Sequence, residues 1–302
     1  MSSYWRGWPL TVALLSVLVF AWGGNYTWVK VALEDSGPLT FNALRYSGAV
    51  MVIGIGLCLA GRGRDLIPVR GEAGFMAIIG LLQVTVMTGL TTVAMLWIEA
   101  SRTVLIAYSM PIWAMIISLP VLREGISWRM VIGATLGLSG LCLLTDIVSM
   151  EWTGGGTLIG SAVALTATLG WALGSVLYRL RQWRSNFWQQ VFWQLCSAAL
   201  SMTIIALVLE SDEPITFSPE YVTIVVYNWL VPTSLGFWCW ARALTRTSAT
   251  AAGQFLLLSP VFGVFLSHLV LDEPLHPALL SSALLILAGA FLSLRRQPAG
   301  RN

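Results

Sequence analysis

With 302 residues, 57% of them hydrophobic and only 10% charged, and a mean hydropathy of +0.77, the chain falls outside the soluble globular class, where charged residues make up about 25%. Its length is counted in membrane spans of about 20 residues, and short loops leave no room for a separate soluble domain. The net charge of +3 is carried mostly by loops and marks topology, so it argues against a nucleic-acid partner.

The apolar runs predict ten helices. The first, over residues 8–30, has a basic start at Arg6 as a signal peptide would, but its run is long and nine more spans follow, so it reads as a retained helix. It carries Trp22, Asn25 and Tyr26. The second covers 38–60 and places Arg45 seven residues in, roughly 10 Å below its outer end at 1.5 Å per residue. The third covers 72–98 with Gln83 and Thr88, and the fourth covers 102–122 with Tyr108, Pro111 and Trp113. Glu99 and Arg102 flank the tight turn between these two, at the level of Arg45, and suggest an external gate cluster. The fifth helix, 128–148, has Gly133, Gly137 and Gly140 along one side, where a neighbouring helix can approach closely. Then follow 155–179 with Trp171, 187–209 with Gln194, 219–242, 248–269 with Gln254 and Pro260, and 275–294 with Ser281, Ser282, Ala283 and Gly289. Whether the small residues of the tenth helix pack within one chain or across a dimer is open at this level.

Basic residues of short loops stay on the cytoplasmic side. Arg6, Arg62, Arg64, Arg70, Arg123, Arg129, Arg179, Arg181, Arg184, Arg242, Arg246 and Arg295 fall at one end of the predicted helices, and Lys30 and Arg102 at the other. Both termini are thereby expected in the cytoplasm.

The chain also nearly repeats itself after 149 residues: Trp22 recurs as Trp171, Pro111 as Pro260, Glu124 as Glu273 and Gly140 as Gly289. This divides it into a first five-helix repeat, residues 1–150, and a second, residues 151–302. Because each repeat has an odd number of spans, the two sit upside down to one another, a common way to build a transporter with a site between the halves. The expected fold class is thus an all-α integral membrane protein of ten transmembrane helices in two inverted five-helix repeats. Within it, Pro111 and Pro260 remove backbone hydrogen bonds in two symmetry-related helices, which either kinks them statically or marks a moving part. The repeat is eroded at Gln194, where Arg45 would recur, and at Gly174, where Asn25 would.

No enzyme signature appears: there is no H-E-x-x-H, no intramembrane Asp pair and no G-x-S-x-G. Cys58, Cys142, Cys196 and Cys239 sit singly in apolar segments without a C-x-x-C pair, so neither a metal nor a cofactor is expected. No carboxylate or imidazole falls near the middle of a predicted span. Proton-coupled carriers usually place one there, so facilitated movement or exchange is the expected mode.

Several motifs bear a resemblance to a known family: the W-G-G-N run from Trp22 to Asn25, the P-L-T-F-N-A-L-R-Y-S-G-A run from Pro38 to Ala49, the two proline-to-Glu helices (residues 107–126 and 256–275), and the glycines 133, 137 and 140. In these the chain resembles, over nearly its whole length, the EamA-type ten-helix exporters of the drug/metabolite transporter superfamily. The resemblance implies secondary export of small metabolites, often amino acids or drugs, through a central cavity opened alternately to each side of a bacterial-type inner membrane. The candidate substrate-binding residues are Trp22, Asn25, Tyr26, Arg45, Gln83, Thr88, Tyr108, Trp113, Trp171, Gln194 and Gln254. The candidate gating residues are Glu99, Arg102, Pro111 and Pro260. Deep aromatics suit flat rings or organic cations, and neutral polar groups orient such a ligand. Arg45 either snorkels to the surface or pairs locally, or else grips a substrate carboxylate bidentately. Aromatic or other amino acids are the first expectation for substrate; a drug or organic-cation exporter and a lipid-carrier flippase are the alternatives. Oligomeric state is not readable.

Overall fold

The computed structural model describes residues 8–98, 100–123, 125, 127–145, 147–149, 154–271 and 278–294. Among them every regular element is helical, as the apolar composition demands. A chain in lipid must satisfy its backbone polar groups internally. In chain order the helices are α1 (Trp8–Gly23, continued by Asn25–Ala32), α2 (Pro38–Leu59), α3 (Ala73–Ala94), α4 (Ala100–Ala107, continued by Met110–Leu122) and α5 (Trp128–Leu144). They are followed by α6 (Gly155–Leu180), α7 (Phe187–Leu209), α8 (Pro219–Leu244), α9 (Ala249–Leu256, continued by Leu258–Leu271) and α10 (Leu279–Leu294). Seven of them contain stretches long and apolar enough to cross a membrane, and α1, α5 and α10 contribute shorter apolar helices.

Local chemistry fixes the starts. Ser127, Asn186, Ser218 and Ser248 each accept a backbone N–H three residues on, capping α5, α7, α8 and α9, while Pro38 and Pro219 occupy first-turn positions, where a missing N–H costs nothing. Interior breaks follow the residues too. Pro111 is the second residue of the α4 continuation, and Pro260 the third of the α9 continuation. Each helix therefore interrupts just before its proline, instead of bending around it.

A third break, in α1 at Gly24, has no proline and was not expected from the sequence. A Cβ on Gly23 would lie 2.5 Å from the Ser259 carbonyl oxygen, and one on Gly263 3.0 Å from that of Gly23. The α1 break and the α9 break thus pack against one another, backbone to backbone. At the corresponding place α6 has Ala172 and Leu173, and it runs unbroken.

Several helix contacts recur under exchange of each helix with the one five places later, although α9 packs on α10 without a comparable contact of α4 on α5. Helix α2 packs on α7, α5 on α10 and α4 on α9. The pairs α3/α6 and α8/α1 correspond, as do α4/α6 and α9/α1, and α3/α7 and α8/α2. The expected glycine packing is present and lies within one chain. Gly133 faces Gly289 and Ser293, Gly137 faces Leu257, and Gly140 faces Ser282.

Both ends of the α2, α3, α7, α8 group are fastened. At one end Glu210 accepts the amide N–H groups of Leu39 (2.9 Å) and Thr40 (2.7 Å), supplying the N-terminal cap that α2 lacks. There Tyr221 Oη also meets Ser36 Oγ at 2.9 Å, and Ser218 Oγ donates to Asp35 at 2.6 Å. At the other end Glu72 accepts the amides of Arg184 (2.9 Å) and Ser185 (3.2 Å), while Arg181 and Arg184 donate to the carbonyls of Gly71 and Arg70.

Candidate functional site

Two helices contain a stretch of π-helix at matching places: Leu81–Val86 in α3 and Trp229–Leu235 in α8. One-turn π segments free backbone and side-chain groups from the regular ladder and occur frequently at functional sites. In α8 the cause is legible, since Pro232 has no N–H to donate. The α3 segment, LLQVTV, contains no proline and no such cause.

Each π segment holds a tryptophan-bearing helix. The Trp22 indole Nε1 donates to the Pro232 carbonyl at 2.8 Å, linking α1 to α8. In the pseudo-equivalent place Gln83 Nε2 donates to Ser175 Oγ at 2.7 Å, and that hydroxyl donates to the Trp171 carbonyl at 2.8 Å, linking α3 to α6. Trp22 can lie flat on α8 because residue 236 is glycine: a Cβ there would come within 2.6 Å of the indole nitrogen.

Trp22 and Trp171, the repeat-related pair, meet each other edge to face with centroids 5.5 Å apart. Phe237 and Trp240 of α8 complete the cluster: Trp22 is 5.7 Å from Phe237 and 6.1 Å from Trp240, and Trp171 is 6.2 Å and 5.5 Å from the same two rings. Such ring pairs add about 0.5–1.5 kcal/mol each beyond their area burial. Trp171 and Trp240 are 7% and 2% exposed, and neither indole N–H has a hydrogen-bond acceptor. The residues from which a central cavity was expected therefore pack ring on ring.

Arg45 stands beside this cluster. Its Nε donates to Thr233 Oγ1 at 2.8 Å, the residue next to the one that holds Trp22, and its guanidinium lies 5.4 Å from the Tyr46 ring centroid. Tyr227 is within electrostatic reach of it. Tyr227 also lines a groove of about 490 Å³ between α1 and α8, with Trp28, Glu220, Thr223 and Ile224.

The other expected residues are placed differently. Asn25 is buried at the start of the α1 continuation with its side-chain oxygen unpaired, and Gln194 is buried in α7 with its side-chain nitrogen unpaired. The backbone carbonyl of Gln194 lies against Gly80. Thr88 returns its hydroxyl to the Val84 carbonyl at 2.7 Å. Tyr108 sits at the α4 break, and Trp113 donates to Ser109 Oγ at 3.1 Å across the same break. Gln254 is fully buried, and its Nε2 donates to the Met130 carbonyl at 3.1 Å, which makes it a strut between α9 and α5. Arg102 is buried in the first turn of α4. Glu99, Glu124, Glu273 and the side chain of Tyr26 lie outside the described residues.

Sequence reasoning missed Trp240, Phe237, Ser175 and Thr233. The Pro232-Thr233-Ser234 interruption of an apolar run was the available signal for the last. Nothing local marks Trp240. Among the described residues no group of three or more His, Cys, Asp or Glu side chains is arranged to hold a metal ion.

The model of the EamA-like transporter family matches residues 9–146 and again residues 158–295. An uncharacterized transporter of Bacillus subtilis, YoaV, is 26% identical over 287 residues, covering 93% of this chain and 95% of its own length. A probable amino-acid metabolite efflux pump of Salmonella typhimurium is 25% identical over 296 residues, and its Escherichia coli counterpart 22% over 291, each with 93% of both chains covered. A solved crystal structure, 20% identical, shares the fold with a TM-score of 0.76 over 93% of this chain and 95% of that one.

Proposed function

The chain belongs to the EamA-like transporter family, a family of membrane transporters and not of enzymes, and on that premise we propose that it exports amino acids, aromatic ones first, by alternating access. It is a multi-pass membrane protein, and its substrate is a small molecule. In this reading all ten helices span an inner membrane as two inverted five-helix repeats, with both termini in the cytoplasm. Support comes from the family model, which matches both halves in the same register, and from the several helix contacts that recur under exchange of the halves.

The observation that carries the reading is the meeting of Trp22 and Trp171. Two equivalent side chains from the two repeats contact each other, and the helix that bears each is tied to a π segment. Rocking one repeat against the other separates this pair and opens the space between them, which turns ring–ring contact into ring–substrate contact. Asn25 and Gln194 carry buried polar groups without partners, and these supply orienting contacts for the substrate. The gating assignment to Arg102, Pro111 and Pro260, with Glu99, rests on the helix breaks at 108–109 and 257, where backbone motion needs the fewest hydrogen bonds broken. Since no carboxylate or imidazole of the described residues lies deep in a helix, transport follows the substrate gradient without tight proton coupling.

Efflux of preloaded, labelled aromatic amino acids from proteoliposomes, run with and without a proton gradient, tests this. Saturable efflux indifferent to the gradient is expected, and uphill transport driven by a pH gradient alone would refute the facilitator. Arg45→Lys sharpens the test. Lysine keeps the charge but not the planar fork, so a carboxylate-gripping Arg45 predicts a drop in transport of about tenfold, or about 1.4 kcal/mol. Unchanged transport would leave Arg45 as a tie between α2 and α8 through Thr233.

A second reading, export of organic cations, is favoured by one observation. The groove lined by Trp28, Tyr227 and Glu220 offers two aromatic rings and a carboxylate, a combination that suits an ammonium group.

A further inference from the structure

We propose that the ring cluster of Trp22, Trp171, Phe237 and Trp240 is a carboxylate site, and that it reads a substrate's ring and carboxylate while leaving its ammonium unread. This deepens the export reading and rests on it.

The first ground is the pair of indole N–H donors. Trp171 and Trp240 are each more than nine-tenths buried, and neither Nε1 has an acceptor. Buried donors are almost always paired, so two unpaired ones on rings in direct contact, 5.5 Å between centroids, call for an acceptor from outside the chain. A carboxylate has two oxygens and takes both bonds at once. The third indole of the cluster already gives its N–H to Pro232, which leaves it free to act as a wall.

The second ground is what the cluster lacks. None of its four members is acidic, so an ammonium finds no ion-pair partner in it and meets only ring faces. Nor is any of them basic, and the neighbouring Arg45 is engaged by Thr233 and the Tyr46 ring, so the cluster's own donors are neutral dipoles, which suit a monoanion held and released again and disfavour a phosphate that wants several cations. Indole edges are electropositive, and the two bare N–H groups make them more so. The remaining surface of the site is aromatic and takes a flat apolar group. The predicted ligand class is therefore an arylalkyl monocarboxylate, with amino acids as the members that happen to carry an amine.

Binding to the purified full-length protein, read by intrinsic fluorescence, separates the cases with three probes: 3-phenylpropionate (ring and carboxylate), phenethylamine (ring and ammonium) and L-phenylalanine (both). We expect 3-phenylpropionate to bind within about threefold of L-phenylalanine, and phenethylamine at least about tenfold more weakly. Trp171→Phe and Trp240→Phe keep a ring and remove the donor. Each is expected to weaken 3-phenylpropionate about tenfold and phenethylamine by much less, since only the ring contact is reduced. Where either variant fails to fold, the three-probe comparison on the unaltered protein decides by itself. Phenethylamine binding as tightly as 3-phenylpropionate, binding of 3-phenylpropionate unaltered in both variants, or no binding of any probe overturns the inference. Amino-acid efflux without 3-phenylpropionate binding sinks this inference alone. Binding of 3-phenylpropionate without any amino-acid efflux sinks the export reading alone.

Discussion

Gly289→Leu is expected to lower the stability of the protein by about 3 kcal/mol, because α5 and α10 have no room between their backbones at that point. A single Cβ at 289 would already lie 2.4 Å from the Gly133 carbonyl oxygen and 2.9 Å from the Gly137 amide nitrogen. Those atoms belong to helix backbone and cannot step aside as a flexible side chain would. Within lipid, close approach of this kind is itself the source of association, since burial of apolar surface offers little between helices already solvated by hydrocarbon. Thermal unfolding in one detergent at a fixed scan rate measures the effect, and a control, Gly56→Leu, is expected to be neutral, because nothing lies within 4 Å of a Cβ at that position. Equal melting of the two variants would show that the α5–α10 contact contributes little.

Glu72→Ala is expected to cost about 3 kcal/mol, the loss of two hydrogen bonds to a charged acceptor. Glu72 is 1% exposed and ties the start of α3 to the turn just before α7 through the amides of Arg184 and Ser185. The Arg184 guanidinium is 3.8 Å away but 71% exposed, so screening reduces its share to little.

Burial by itself pushes the Glu72 carboxyl up; the hydrogen bonds from Arg184 and Ser185 and the charge of Arg181 outweigh it and hold it below its ordinary value of 4.5. A carboxyl lowered in the folded state binds fewer protons there than in the unfolded chain. Its stabilisation is fully present above pH 4.5 and is lost as pH falls from there through the folded value. Glu72→Gln removes the charge, so it is expected to flatten that acid limb while lowering stability at neutral pH. An acid limb of unchanged height in Glu72→Gln would assign it to other carboxylates.

Much of this protein was legible in its residues. The bilayer imposes one rule on every span, and composition alone places the chain under it. Repetition at 149 residues paired Trp22 with Trp171 before any coordinate did, and the glycines of α5 marked a close contact that the fold places on α10. Pro111 and Pro260 located two breaks, because the lack of an N–H acts on the residue's own helix.

What the tertiary structure decided is everything that depends on a partner distant in sequence. Gly24 breaks α1 where the backbone of α9 crosses it, and the same turn of α6 stays intact with Ala172 and Leu173 in place of glycines. Gln254 reads as a polar group poised for a ligand, and in the fold its amide nitrogen spans to the Met130 carbonyl of another helix while its side-chain oxygen is left unpaired. Trp240 carries no local mark in the sequence, and it joins the central rings where α8, underwound by its π segment, is seated on Trp22 at Gly236. Helix identity is written in local periodicity and backbone donors. The facing of side chains across helices depends instead on which backbones can touch and which buried polar groups find partners, and those are settled only when the whole chain is packed.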